Sequence, residues 1–245
     1  MLALRRIPKI KKWLKRLLVV LGFYFVVCLP ETLFEENYST VLEDANGQLL
    51  MAHIAPDGQW RFPLSDSIPT KFSTALIEFE DRRFQDHHGV SLLALGRATI
   101  QNIRSKRLVS GGSTLSMQVI RMSRKRTGRS LTDKLKEMVM ALRLETKYSK
   151  EEIMTLHASH APFGGNVVGL EAASWRYFGH NAHTLSWAES ATLAVLPNAP
   201  SLMHLSKNRK ALQDKRNRLL KRLFDDKKLT ELEYHTAIAE PLPEK

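Results

Sequence analysis

Apolar positions recur at helical spacing along residues 70–79, where Phe72, Ala75, Leu76 and Phe79 share one face, and two acids, Glu80 and Asp81, close the run. A second helical stripe, Leu131, Leu135, Met138, Val139 and Leu142, is expected to be buried, with Lys134, Glu137 and Ala141 on a different face. Three Ser/Thr-x-x-Glu sequences, Ser149 to Glu152, Ser186 to Glu189 and Thr230 to Glu233, predict capping boxes that open further helices. Pro197 and Pro200 end one helix and Pro241 the last. Short alternating runs over about 38–64, punctuated by Asn46-Gly47 and Asp57-Gly58, predict a small β-element. The fold class is therefore mainly α: a β-element, then a helical domain from about residue 67 onward.

The N-terminus carries a different pattern. Residues 17–30 hold no charge, and seven cations (Arg5, Arg6, Lys9, Lys11, Lys12, Lys15, Arg16) precede them with no acid. As a helix this run spans about 21 Å, short of a bilayer core of about 30 Å, unless Lys15 and Arg16 snorkel and Leu33 and Phe34 extend it. No small-x-small cleavage site follows, and Val27 stands where a lipoprotein signal wants a small residue before Cys28. The expectation is an uncleaved anchor over residues 1–35, basic end cytoplasmic, with a domain over 36–245 outside the inner membrane.

Charge and cysteine usage narrow the chemistry. A formal net charge of +12 suits nucleic acid, anionic lipid or a phosphate-bearing substrate. The single cysteine, Cys28, excludes an intramolecular disulfide and any cysteine-based zinc cage. Nucleic acid is disfavoured by the expected location, so the basic run at 207–224 reads as a solvated face or a lipid contact. His157 and His160 stand three apart, but without an HExxH arrangement no metal site is expected.

Three segments hold candidate chemistry. Glu80 follows Leu76 by four and borders the apolar stripe; partial burial and the negative helix end would raise its pKa, as suits a general base. The competing reading is a solvated helix end. In "SGGSTLSMQVIRM", Gly111-Gly112 permits a turn and Ser113 or Thr114 caps a helix whose free N–H groups suit phosphate; it is not a Walker A loop. In "LTDKLKEMVMALRLE", Lys134 and Glu137 are either a surface pair or a cation and carboxylate placed in a cleft.

Taken in order, these segments resemble the family 51 peptidoglycan glycosyltransferases. "EDRRFQDHHG" resembles the Glu-Asp-x-x-Phe-x-x-His-x-Gly motif, "GGSTLSMQ" the second motif and "KLKE" the core of the third. Residues 149–179, with Ala-Pro-Phe-Gly-Gly, and "LSWAESATLAVLPNAPS" resemble the fourth and fifth blocks, most like the 1C type of class A penicillin-binding protein. Asp133, His157 and Ser159 depart from the pattern, where Arg, Tyr and Asn are usual. No serine is followed three residues on by lysine, so a transpeptidase nucleophile is not expected in this stretch.

The resemblance implies a two-lobed, lysozyme-like fold at the membrane that polymerises lipid II into a growing glycan strand. It implies catalytic roles for Glu80, as base, and Glu137, which orients the cations. Asp81, Arg97, Ser113, Thr114, Gln118, Arg121 and Lys134 would bind substrate, the cations holding diphosphate. Partnership with cell-wall synthesis proteins stays open. So does assistance from a divalent cation such as Mg2+, for which no dedicated ligand set is visible. Two other readings stand beside this one: a catalytically impaired membrane scaffold, and a glycan-cleaving enzyme with paired carboxylates.

Overall fold

The computed structural model describes residues 7–63, 67–105, 111–124, 130–197 and 208–243. Arg5, Arg6, Ser110 and Pro200 lie outside them. A first helix, α1 (Ile7–Val27), precedes three short strands, β1 (Thr40–Glu43), β2 (Leu49–His53) and β3 (Trp60–Arg61). Helices α2 (Thr70–Glu80), α3 (Leu92–Ser105), α4 (Leu115–Ser123), α5 (Leu131–Lys147) and α6 (Lys150–His160) follow. A hairpin, β4 (Pro162–Gly164) and β5 (Val167–Val168), leads to α7 (Leu170–Phe178), α8 (Trp187–Val195), α9 (Arg209–Asp225) and α10 (Glu231–Ala239).

The helix starts follow their caps. Ser149, Ser186 and Thr230 each accept from the backbone three residues on, and the matching glutamates return the bond. Asn46-Gly47 turns an antiparallel β1–β2 hairpin, Gly47 taking a positive φ of 74°. The β-element is nevertheless not one unit. β3 leaves that hairpin and pairs in parallel with β5, with β4 on the other side of β5. Arg61 fixes this junction from a buried position, 2.6 Å from Glu36 and 3.1 Å from Asp57.

The core is built where α2 packs on α8 and α9, and α4 on α5 and α6. Phe72, Leu76, Phe84, Leu115, Ile120, Leu144, Ile153, Phe163 and Leu193 are fully enclosed there. Burial of such side chains, roughly 1.5–3 kcal/mol each, supplies the driving force for the fold.

One sequence expectation is corrected. The stripe assigned to the core of α5 is buried only in part: Leu131 is 86%, Leu135 61% and Leu142 40% exposed, while Met138 and Val139 are half-buried. The inward face is Glu137, Met140, Ala141 and Leu144. Periodicity locates an apolar face but not what covers it, and here the neighbours demand a small residue and a paired acid instead. The anchor expected over residues 1–35 gains no support from helix length: no helix among the described residues is long and apolar enough to cross a membrane. The first half of α1 contains Lys9, Lys11, Lys12, Lys15 and Arg16, and the helix stops at Val27. Leu33 and Phe34 do not lengthen it; Leu33 is buried in the domain and Phe34 stacks on His160 at 3.6 Å.

The closest approach of the loop after α2 to α5 is at the Ala141 backbone. Gly89, at φ 88°, brings the loop after α2 so close that a Cβ there would sit 2.4 Å from the Ala141 carbonyl oxygen. Gly89→Ala should therefore cost about 3 kcal/mol through backbone strain and overpacking. The check is the urea midpoint of the variant; an unchanged midpoint would show that the loop relaxes away from α5.

Candidate active site

The end of α2 delivers two neighbouring acids into different surroundings. Glu80 is half-buried on the wall of a cleft of about 220 Å³, whose lining also includes Asp81, Arg97, Ser113 and Arg222. Its Oε2 accepts a 2.7 Å hydrogen bond from Gln118 Nε2. Asp81 is buried, and its Oδ2 accepts from His87 Nε2 at 2.9 Å and from the Leu115 backbone N–H at 3.1 Å. That carboxylate joins α2, the turn carrying His87 and the start of α4.

The Gly-Gly-Ser-Thr segment divides its work between two hydroxyls. Thr114 caps α4, accepting from Met117 N–H at 3.2 Å and donating to the Gly89 carbonyl at 2.6 Å. It is only 1% exposed, so the expected contact with substrate is replaced by a structural tie whose donor and acceptor both act internally. Ser113 Oγ instead faces two cations, Lys134 Nζ at 2.6 Å and Arg121 at 3.1 Å. Glu137 completes the group, 3.1 Å from Arg121 Nε and 3.6 Å from Lys134 Nζ. Two cations facing one carboxylate leave a net positive corner suited to an oxyanion.

The structure thus brings together Glu80 and Gln118 in one contact, and Ser113, Arg121, Lys134 and Glu137 in another. Arg97 lies on the exposed side of α3 and lines the cleft with Glu80 and Ser113. Asp133, which departs from the family pattern, supports the N-terminus of α5 by pairing with Arg124 at 3.2 Å and accepting from Ser130 at 2.7 Å.

The parts played by four residues, His157, Glu145, Lys150 and Glu78, escaped the sequence reading. His157 is buried, and its Nε2 lies 3.2 Å from Gln118 Oε1. Because the Gln118 amide nitrogen donates to Glu80, its oxygen must accept, so His157 Nε2 carries the hydrogen. Burial pushes the His157 pKa down to about 4, which keeps the ring neutral. Glu145 accepts from Ser116 and pairs with Lys150 at 2.7 Å, while Lys150 also donates to the His87 carbonyl at 2.6 Å. Glu78, only 1% exposed, is held by Arg82 at 2.8 Å and Lys228 at 3.2 Å. Only the last had a visible signal, the i, i+4 spacing of Glu78 and Arg82. His157 and His160 do not converge on a common point: His160 Nδ1 meets the Leu156 carbonyl at 2.9 Å.

Against this geometry, a family model described as transglycosylase matches residues 47–224. The chain belongs to the transglycosylase family. Curated relatives of this transglycosylase chain include penicillin-binding protein 1C of Escherichia coli, 39% identical over 195 residues, covering 79% of this chain and 25% of the relative. Penicillin-binding protein 1A of Aquifex aeolicus is 36% identical over 185 residues, covering 75% of this chain and 26% of the relative. The chain thus spans about a quarter of the length of these relatives. Among solved structures, penicillin-binding protein 1A of Haemophilus influenzae aligns with a TM-score of 0.46 at 21% identity, over 85% of this chain and 21% of that one.

The buried neutral His157 makes stability pH-dependent. Its folded pKa of about 4 lies below the ordinary value of 6.5, so the unfolded chain takes up the proton first. The stability it permits is complete above pH 6.5 and is lost as pH falls towards 4, by roughly 3 kcal/mol in all. His157→Gln should lose correspondingly less between pH 7 and pH 4 in urea unfolding. Equal losses in parent and variant would contradict a neutral buried imidazole.

Proposed function

We propose that this transglycosylase chain is a peptidoglycan glycosyltransferase that polymerises lipid II, releasing undecaprenyl diphosphate. The observation that carries the reading is one cleft edged by an oriented carboxylate, Glu80, and by Ser113 with its two attendant cations, Arg121 and Lys134. Glu80 takes the proton from the acceptor's 4-hydroxyl as that oxygen attacks C1 of the lipid-linked donor. The C1–O bond to diphosphate breaks on the opposite face, giving inversion. The leaving group is a stable anion, so it needs neutralisation rather than a strong acid; Arg97, Arg121 and Lys134 supply the charge and Ser113 a hydroxyl. Glu137 holds Arg121 and Lys134 in position, and Gln118 holds Glu80. Mg2+ enters no step of this mechanism.

The membrane is the proposed setting, with the basic N-terminus cytoplasmic and the domain outside. Supporting this are exposed apolar side chains along α1 (Leu18, Val19, Phe23), α3 (Leu92, Leu93, Ile103) and α5 (Leu131, Leu135). A lipid-linked substrate requires the cleft to sit near the bilayer, and such faces are suited to its surface. A two-lobed, lysozyme-like arrangement and cooperation with other wall-synthesis proteins belong to the same proposal.

Labelled lipid II, incubated with purified protein and separated into polymer and monomer, tests the chemistry. Glu80→Gln keeps volume but removes the base, so the rate should fall about 10²–10⁴-fold with folding intact. Lys134→Ala should also impair turnover, while Asp81→Asn should lower stability by roughly 1–3 kcal/mol because its two buried donors exchange a charged acceptor for a neutral amide oxygen. A folded Glu80→Gln protein polymerising at the parent rate would sink the mechanism. Location is tested separately: protease added to intact spheroplasts should degrade the domain after residue 35, and its protection would reverse the orientation.

A further inference from the structure

Two cations in the last turns of α5 face the junction where α1 meets the domain. Arg143 and Lys147 stand four apart and so share one side of the helix. The Arg143 guanidinium lies 5.8 Å from the centre of the Phe25 ring near the end of α1, and its Nη1 donates to Thr146 Oγ1 at 3.0 Å. Its Nε is shielded from solvent and meets no acceptor. Lys147 is exposed, and its Nζ donates to the Glu31 backbone carbonyl, just past α1, at 3.1 Å. Elsewhere in the described residues Arg121, Arg124, Lys134 and Lys150 each meet a carboxylate within 3.6 Å. Arg143 and Lys147 form no salt bridge among those residues, although Glu31 and Glu35 are exposed acids in the segment after α1. The pair also stands apart from the corner around Ser113. Arg143 follows Glu137 by six residues, which is about 9 Å along α5 and about 120° around it. The surroundings are apolar and open: Phe23, Val26 and Val27 of α1 and Leu142 of α5 are all exposed.

A phosphodiester that carries acyl chains is matched by this combination. A guanidinium fork and an ammonium suit the phosphate, and open apolar side chains beside them suit the chains. Contact with the Phe25 ring and the bond to Thr146 hold the fork in place before a ligand arrives, which lowers the cost of binding. Free phosphate offers the same charge but makes no use of the apolar flank. We propose that Arg143 and Lys147 form a headgroup site for an anionic phospholipid, at the level where the end of α1 leaves the bilayer. The site rests on the membrane setting proposed above and gives it a specific partner. It would set the tilt of the domain by charge as well as by apolar area, at the one place where α5 and α1 touch the same ligand.

The test is calorimetric titration of the purified chain in a neutral detergent with three probes: dihexanoyl phosphatidylglycerol, dihexanoyl phosphatidylcholine and inorganic phosphate. Phosphatidylglycerol should bind most tightly, and Arg143→Gln combined with Lys147→Gln should weaken it about tenfold or more. Lys147→Glu, a change at an exposed position, guards against misfolding and should act in the same direction. Lys210→Gln combined with Lys227→Gln removes the same charge from exposed positions elsewhere and should leave the affinity near that of the parent. Unchanged affinity in the Arg143 and Lys147 variants would overturn the site, as would an equal loss in the Lys210 and Lys227 control. Equal binding of phosphatidylcholine would reduce the contact to apolar area, and equal binding of inorganic phosphate would remove the lipid; either result overturns the assignment. Cell fractionation separates the two readings. If the chain is recovered without membranes while the variants still lose phosphatidylglycerol, the site stands and the membrane setting falls. If it is recovered with membranes and the variants bind as the parent does, the setting stands and the site falls.

Discussion

The Asp81 carboxylate is the constraint on which the site depends. One oxygen accepts from both His87 and the Leu115 backbone, so the end of α2 and the start of α4 cannot move independently. Glu80 is its chain neighbour and Gln118 lies one turn beyond Leu115. The 2.7 Å bond between Glu80 and Gln118 is therefore set by a tie buried behind it. Removing one partner from such a buried charge network costs several kcal/mol, far more than an exposed ion pair contributes. Thr114 reinforces the tie by joining the cap of α4 to Gly89, and Gly89 in turn lies against Ala141 of α5.

A chain with a net charge of +12 builds this centre around its buried acids. Glu78, Asp81 and Glu137 are enclosed, and each meets a cation or an N–H donor. The arrangement fixes the cations without exhausting them. Arg121 and Lys134 share one carboxylate, so the corner remains net positive and oriented before any ligand arrives. Preorganised charge of this kind needs no rearrangement when negative charge develops.

The elements were largely legible because their signals are local. Capping boxes, a turn at Asn46-Gly47 and the stripe of α2 depend on residues within a few positions of each other. The cation–carboxylate pair of α5 was legible as a spacing, and the motif resemblance grouped it with Glu80. What depends on packing was not. The outward face of α5 reads like a core stripe, since exposure of Leu131 and Leu135 is decided by what lies beside the helix. The parallel pairing of Trp60 with Val167 joins strands over a hundred residues apart, which no alternation of a short run reveals. Lys150 and Glu145 form part of the scaffold under His87, yet on paper they are an ordinary surface pair.

Gln118 shows how a departure from a familiar pattern can be absorbed. Its amide has two ends with opposite demands: the NH2 group must face Glu80, and so the carbonyl oxygen needs a donor behind it. His157 meets that need with Nε2–H. A tyrosine at the same position would offer O–H, so the two residue types satisfy one requirement by different chemistry. The imidazole differs in that its donor hydrogen depends on tautomer, and burial keeps it neutral by lowering its pKa. Orientation of the Glu80 carboxylate thus rests on a chain of complementary donors and acceptors. What Gln118 requires at that position is a donor, and His157 supplies one.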